Sequence, residues 1–545
     1  LIAGGVGVVS AAALAAAPAA AGKAEGFSYG VSSGDVTSKS AILWAKADKK
    51  GKTYLQVVDK GGFGSCSIDN ATVKVKATKD DDNTVQAKVK GLEADTGYRY
   101  RFCRPNGAHS DVGKFTTAPS AKQRKTIHFA LAGDQDARPL PGGTTPYWNN
   151  FEIWNQIVAE GNDFNVLLGD TIYSDTEVPG YTLADVATTV KRKWAAYKTN
   201  LGEKPWVKAR ESTAYYAHWD DHEFIDNFAR SESHFPYSND GVKLGATDIS
   251  GETLYRRGVK AFTDYNPVKY SKQNGIYRSV RWGKNLEIYF LDERSFRDSL
   301  ADYDGACDNP AGSGAPDLAP TAPQATRTLF SAIVPQLANP VPPACLAAIN
   351  DPSRTMLGAT QLQKFKKAIK KSTATFKVIF NEVPIQQYYA LPYDRWEGYE
   401  AERSELLHFL QDKVQNAVFL STDVHANMVN DARYDTLGPA GVQDSGIFDV
   451  TTGPVATNPY AGEINDTIGT SSGGTLIHDL FLKPQPPAGV GMQCAAIDQF
   501  SYAEVRVSAN QLKIELLDQN GNPVSDTGDR TMPGPPCASI TIPKR

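Results

Sequence analysis

The residues best placed to do chemistry lie in Phe164-Asn165-Val166-Leu167-Leu168-Gly169-Asp170-Thr171-Ile172-Tyr173. The short apolar run reads as a buried strand, and Gly169 would let the chain turn so that Asp170 stands at the strand's carboxyl end. In open α/β sheets ligands and catalytic groups collect at that edge. Asp170 has two carboxylate oxygens and could bridge two cations. The Tyr173 phenol could reach back to one of them, as phenolate, if that cation is strongly acidic. Alone, the stretch reads equally as a strand followed by an Asx-type turn.

The same form recurs. Ile127 to Asp134, Thr213 to His222, Leu286 to Asp292, Phe376 to Asn381 and Ala417 to His425 are apolar runs that each end in Asp, Asn or Asp-x-His. Collected at the strand ends are Asp134, Asp136, Asp170, Tyr173, Asp220, Asp221, His222, Asn381, Asp423 and His425. Acids at this density repel or desolvate one another unless counter-cations sit among them. Two close metal ions solve that problem, and such a pair can ionise a water and clamp a phosphoryl group. An imidazole beside them could give a proton to the leaving oxygen. Arg138, Arg294 and Arg297 could meet substrate phosphate, salt bridging being the alternative. Asp220 reads as a helix N-cap or supporting partner before it reads as a ligand, and His218 as a packed or surface strand residue.

These groups need elements to position them. From Thr126 onward, strands alternate with helical spacing, as in Phe151, Trp154, Ile157 and Val158. A helix is expected over 183–199 and a closing hairpin at Tyr502 to Val507 and Leu512 to Leu517. Residues 27–118 form a different, all-β unit, with alternating runs at Ala71 to Lys76 and Thr84 to Val89. The polar Lys79-Asp80-Asp81-Asp82-Asn83 between them reads as a solvated hairpin tip. Tyr98, Tyr100 and Phe102 would share one sheet face. Residues 301–356 are rich in Ala, Pro and Gly and read as a surface insertion. Thr470-Ser471-Ser472-Gly473-Gly474 lacks the lysine of a nucleotide-binding loop.

With 545 residues the chain calls for two or three domains. A net charge of −4 and the absence of a basic stripe give no nucleic-acid-binding signature. The apolar, alanine-rich residues 1–22 read as a signal-peptide remnant, with no transmembrane anchor in the mature chain. Six cysteines in an exported chain suggest three disulfides, and proximity favours Cys66–Cys103, Cys307–Cys345 and Cys494–Cys537. The second would staple the insertion. A secreted, periplasmic or cell-wall-associated monomer is expected.

Gly169-Asp170-Thr171-Ile172-Tyr173 resembles the GDxxY block of calcineurin-like metallophosphoesterases of the purple acid type. Trp219-Asp220-Asp221-His222-Glu223 stands where that superfamily has GNHE, and its WDDHE wording is similar to that of PhoD-like alkaline phosphatases and phosphodiesterases. Asp423-Val424-His425, the Leu291 to Arg297 segment, Trp396 to Tyr399 with Arg403, and the opening Phe27 to Asp35 add to the resemblance. It implies a four-layer αββα metallophosphoesterase sandwich over 125–545, with a separate fibronectin-like β-sandwich over 25–120.

The resemblance also implies roles. Asp170 would bridge two metals, Tyr173 would bind the more acidic one, and Asp134, Asp221, Asn381, Asp423 and His425 would complete the ligand set. His222 would be the catalytic acid, and Asp220, Arg138 and Arg294 would face substrate. The implied function is hydrolysis of phosphate mono- or diesters by metal-hydroxide attack on phosphorus. Phospholipid headgroup diesters are one alternative, and a non-catalytic exported binder with a degenerate site is another. Iron and/or calcium follow from the resemblance, with zinc, manganese and magnesium open. Relatives carry a Ser-Cys pair at the end of the first strand, and here it is Gly133-Asp134, a hard donor in place of a soft one. Thr422 likewise stands where Gly is usual before Asp423.

Overall fold

The computed structural model describes residues 26–232, 249–309, 315–332, 334–435, 441–482, 491–532 and 534–545. The apolar start read as a signal remnant lies outside the described residues.

Two mixed sheets carry the strand ends of interest. One has the order Ala214–His218, Phe164–Leu168, Ile127–Ala132, Ser501–Val507, Gln511–Asp518, Ile540–Pro543. Its first three strands are parallel, and the hairpin from the end of the chain pairs antiparallel beside them. The other runs Arg278–Trp282, Leu286–Phe290, Phe376–Phe380, Ala417–Ser421, Gln443–Thr451, Asn427–Tyr434, Met492–Ala496. Leu286–Phe290, Phe376–Phe380 and Ala417–Ser421 are parallel neighbours, so their carboxyl ends lie side by side. Continuous apolar runs without alternation are what strands covered on both faces require.

The two sheets pack against each other through Phe129, Phe164, Phe290, Phe380 and Leu420, with Phe129 and Phe380 ring centroids 6.0 Å apart. On the far face of the first sheet, Ala130, Leu167 and Ala217 meet Ile157, Trp206 and Phe262 from helices. On the far face of the second, Tyr289, Ile379 and Phe419 meet Phe365, Leu407 and Leu410. Alternate residues of each strand therefore serve different cores, as the two-residue strand period demands.

The helix expected over 183–199 is two pieces. Thr182 and Asp185 close a capping box around a short turn at Leu183–Asp185, and Thr189 caps a fresh start at Val190–Asn200. The closing hairpin and all three disulfides form as expected. The insertion carries two helices of its own, Gln324–Phe330 and Pro343–Ile349.

The N-terminal unit has two antiparallel sheets, one of three strands and one of four. Tyr98, Tyr100 and Phe102 share a face, where Phe115 stacks on Tyr98 at 5.4 Å. The hairpin expected at residues 79–83 is absent, because Val73–Ala77 and Thr84–Lys90 belong to different sheets. The acidic segment is a crossover docked on the neighbouring unit. Asp82 meets Lys198 at 2.9 Å and accepts from the Tyr265 hydroxyl, and Asp81 meets Lys260 at 2.8 Å. Trp44 Nε1 donates to the Asp264 carbonyl, and Arg278 pairs with Asp35 at 2.7 Å.

Candidate metal centre and active site

Each strand end turns sharply. Gly169 has φ +75°, and a Cβ there would come within 2.7 Å of the Asp220 Cβ. Asp134, Asp170, Asp423 and His425 all hold positive φ, at 56°, 44°, 70° and 50°. Non-glycine residues are rare in that region and cluster at functional sites. The left-handed turn thus falls on Asp423, and Thr422 takes no positive φ. The Thr422 hydroxyl donates to the Leu168 carbonyl at 2.7 Å, tying the last loop to the Asp170 turn.

Two donor groups result, Asp134 with Asp170 and His425, and Asp170 with Asp221 and His222, each with ligand atoms within 4.8 Å of one another. Asp170 belongs to both. Tyr173 joins the first, its hydroxyl 2.8 Å from His425 Nε2. Asp423 lies with Asp220 and Asp221 in a third group. Asp170, Asp221, His222, Asp423 and His425 face an open cleft of about 680 Å³, with Asp134 and Tyr173 buried behind them.

Burial and mutual repulsion set the electrostatics of the cluster. Burial drives the Asp134 carboxyl up to about 7 and lifts Asp170 and Asp423 well above the usual carboxylate range. Burial, with Asp170 and Asp134 beside it, raises the Tyr173 phenol as well. Burial opposes charge on His222, but Asp175, Asp170 and Asp221 outweigh it and hold the imidazolium far above its ordinary range. On His425 burial is likewise outweighed, by Glu463, to about 10. Buried acids crowded in this way are better held around cations than around protons. Both Asp134 oxygens and Asp220 Oδ2 are buried without a well-formed hydrogen bond among the described residues. Carboxylate, phenol and imidazole donors suit hard or borderline cations, and these residues fit a metal pair.

Supporting groups fix the two imidazoles. His222 Nδ1 is 2.6 Å from Asp175 Oδ1, and His425 Nδ1 is 2.6 Å from Glu463 Oε1. Each ring therefore offers Nε2 to the site. The final residue of WDDHE ties two loops together. Glu223 accepts from the Thr171 N–H at 2.6 Å and the Asp220 N–H at 2.7 Å.

Several expected roles change. Arg294 is fully buried, with Nε on Asp220 at 2.5 Å, Nη1 on Asp394 at 2.7 Å and Nη2 on Asp423 at 3.3 Å. It ties the loops of Asp220, Asp394 and Asp423 together and does not line the cleft, and Asp220 is its fully buried partner. Arg297 is committed to Asp394 and Tyr399. Asn381 lies at its strand end with both amide atoms unpartnered, outside the cleft lining. Asp136 is buried, accepting from the Arg138 N–H and the Thr176 hydroxyl. His218 is the packed strand residue expected, stacked on Phe290, and burial depresses it to about 3. Arg138 does line the cleft, over the Tyr181 ring.

Sequence reasoning missed Asp175, Glu177, Asp394, Arg395 and Glu463, all of which line the cleft. Asp175 alone carried a signal, five residues past Asp170 in the same stretch.

Comparisons with known proteins agree with this geometry. Residues 143–515 match the PhoD-like phosphatase family, and residues 12–119 match the PhoD-like phosphatase N-terminal domain. Alkaline phosphatase D of Bacillus subtilis (strain 168) is 24% identical over 459 residues, which is 75% of this chain and 66% of that protein. The chain thus spans just under two thirds of that relative's length. The solved structure of PhoD superposes with a TM-score of 0.66 at 18% identity, covering 97% of this chain and 92% of that one. Purple acid phosphatase PPD1 from yellow lupin (Lupinus luteus) seeds gives 0.53 at 13% identity, covering 94% and 74%. At such identities these two likenesses speak for the fold, while the family match runs over more than half the sequence: the chain belongs to the PhoD-like phosphatase family.

Proposed function

We propose that the protein is a metal-dependent phosphoric ester hydrolase acting on phosphate mono- or diesters in this cleft. The reading is carried by the sharing of Asp170 between two donor groups. Metal ions bound there would supply a nucleophile at neutral pH and a clamp for the phosphoryl oxygens. Asp134, Asp170, Tyr173 and His425 would hold one, and Asp170, Asp221 and Asp423 the other. His222 would hold a proton on Nε2 for the leaving oxygen, with Asp175 fixing Nδ1. Arg138 would meet the substrate at the mouth.

The layering of helices, two sheets and helices supports a four-layer αββα catalytic unit from about residue 125, with residues 25–120 as a fibronectin-like sandwich. Three disulfides favour an oxidising compartment and an exported enzyme. Diesters, phospholipid headgroups included, are a second reading, favoured by a cleft larger than a small phosphate ester fills.

The test is purification with added metals, elemental analysis, and assay on p-nitrophenyl phosphate and bis-p-nitrophenyl phosphate. Turnover with about two bound metals per chain is the expected result. An Asp170→Ala protein with undiminished turnover and metal content ends the reading.

A further inference from the structure

The described lining of the cleft holds two arginines, Arg138 and Arg395, and no lysine. The rim is otherwise acidic, with Glu177, Asp226, Asp394, Glu463 and Asp466. A phosphate anion entering it needs a fixed cation besides any metal. Arg294 and Arg297 cannot serve, being buried and engaged with carboxylates.

Their work is instead to place Arg395. Both donate to Asp394 Oδ1 at 2.7 Å, which pins the loop at the residue just before it. Trp396–Tyr399 then begins a short helical turn, with Arg395 as its N-cap. The Arg395 guanidinium lies 5.6 Å from the Tyr388 ring centroid. Nη2 donates to the Ala390 carbonyl and, at 3.3 Å, to Glu397 Oε1. Nε is buried without a partner among the described residues, which leaves Nη1 as the nitrogen open to the cleft that Arg395 lines. Glu397, Tyr460 and Asp423 are the groups that most support its charge, which places it near the Asp423 ligand loop.

We propose that Arg395 binds the phosphoryl group of the substrate through Nη1, while Nη2 keeps the loop in place. A guanidinium can divide its work in this way, one nitrogen anchored to the loop and another offered to a phosphate oxygen, which an ammonium cannot. This assignment rests on the phosphoesterase reading above for its substrate, but its test does not rest on turnover.

The probe is inorganic phosphate, added to the metal-loaded protein and followed by calorimetry and, where esters are turned over, by competitive inhibition. Arg395→Gln is expected to weaken phosphate binding tenfold or more and to raise KM with it, with bound metal and melting temperature retained. Arg395→Lys keeps the charge but loses the fork, and should fall between the two. A glutamine variant that holds its metals, melts with the wild type and binds phosphate equally well overturns the proposal. If glutamine disturbs the loop and metal is lost, the lysine variant decides, and phosphate affinity equal to wild type overturns it. Wild-type protein that binds phosphate but cleaves no ester sinks the esterase reading alone. Wild-type protein that binds no phosphate sinks both.

Discussion

His222 and Asp175 form a closed pair, with Nδ1 and Oδ1 2.6 Å apart and both side chains buried. Asp175 also accepts from the Asp226 N–H at 2.8 Å, so its orientation is fixed from the backbone. That leaves Nε2 of His222 on the side away from Asp175, 3.9 Å from Asp226 Oδ1, in the cleft that His222 lines.

Asp175→Asn tests this pair. Asparagine keeps the shape but removes the carboxylate that most favours the imidazolium. A general acid must be protonated to act, so the alkaline limb of kcat follows its pKa. Losing Asp175 lowers that pKa, and the limb moves to lower pH. We expect kcat to fall about 10²-fold with bound metal unchanged. A limb that stays in place, with kcat reduced, would assign Asp175 a purely structural part.

Gly169→Ala tests the turn that aims Asp170. The glycine has φ +75°, and an added Cβ would lie 2.7 Å from the Asp220 Cβ. Gly161 is a control, at φ +69° with nothing within 4 Å of its virtual Cβ. Alanine at 161 should cost about 1–2 kcal/mol, the left-handed penalty alone. Alanine at 169 adds overpacking and should cost about 2–5 kcal/mol in denaturant unfolding. It should also release metal, since Asp170 and Asp220 must move apart. Equal losses at the two sites would mean that crowding is unimportant.

Such turns were legible because each short apolar run stopped at Gly-Asp or a like polar group, and the carboxyl ends of two packed sheets then gathered them. The crowded carboxylates pointed to cations before any coordinates. Which arginine served which purpose was not legible. Arg294 and Arg395 both follow acidic residues in irregular segments, and only tertiary packing buries the first while leaving the second at the cleft. Glu463 lies 38 residues beyond His425, on the helix Tyr460–Ile468, in a stretch whose sequence reads as loop. The acidic crossover at 79–83 looked like a hairpin tip because two alternating runs flank it. Its partners Lys198, Lys260 and Tyr265 are more than 100 residues away, beyond any local pattern.

Tyr173→Phe tests the phenol as a ligand. Burial and the Asp170 and Asp134 carboxylates hold its proton far above the ordinary range. Only a strongly acidic cation, such as ferric iron, would remove it. Protein loaded with ferric iron should therefore show a visible phenolate-to-metal band. The phenylalanine variant should lack the band while keeping its melting temperature in the metal-free form. A band that survives the substitution would place another donor on the iron. Asp134 makes this test sharper, since a carboxylate contributes no thiolate band of its own.

Glu504→Gln tests a titration remote from the metal centre. Glu504 sits on Ser501–Val507, which pairs with Ile127–Ala132, the strand leading to Asp134. Burial pushes its carboxyl up to about 8, while the Asn162 amide, donating to Oε2 at 3.1 Å, only partly offsets the effect. A raised pKa means that the folded chain binds the proton more tightly than the unfolded one. The resulting stability is full below the unfolded value near 4.5 and is lost as pH rises toward about 8. Glutamine cannot ionise and still accepts from Asn162. The melting temperature of wild type should therefore fall more steeply than that of Glu504→Gln between about pH 5 and pH 8, the span between the unfolded and folded values. Scanning calorimetry at fixed metal concentration reads the difference. Parallel curves would show that Glu504 already ionises freely in the folded state, through water reaching the seam between Asn162 and the strand.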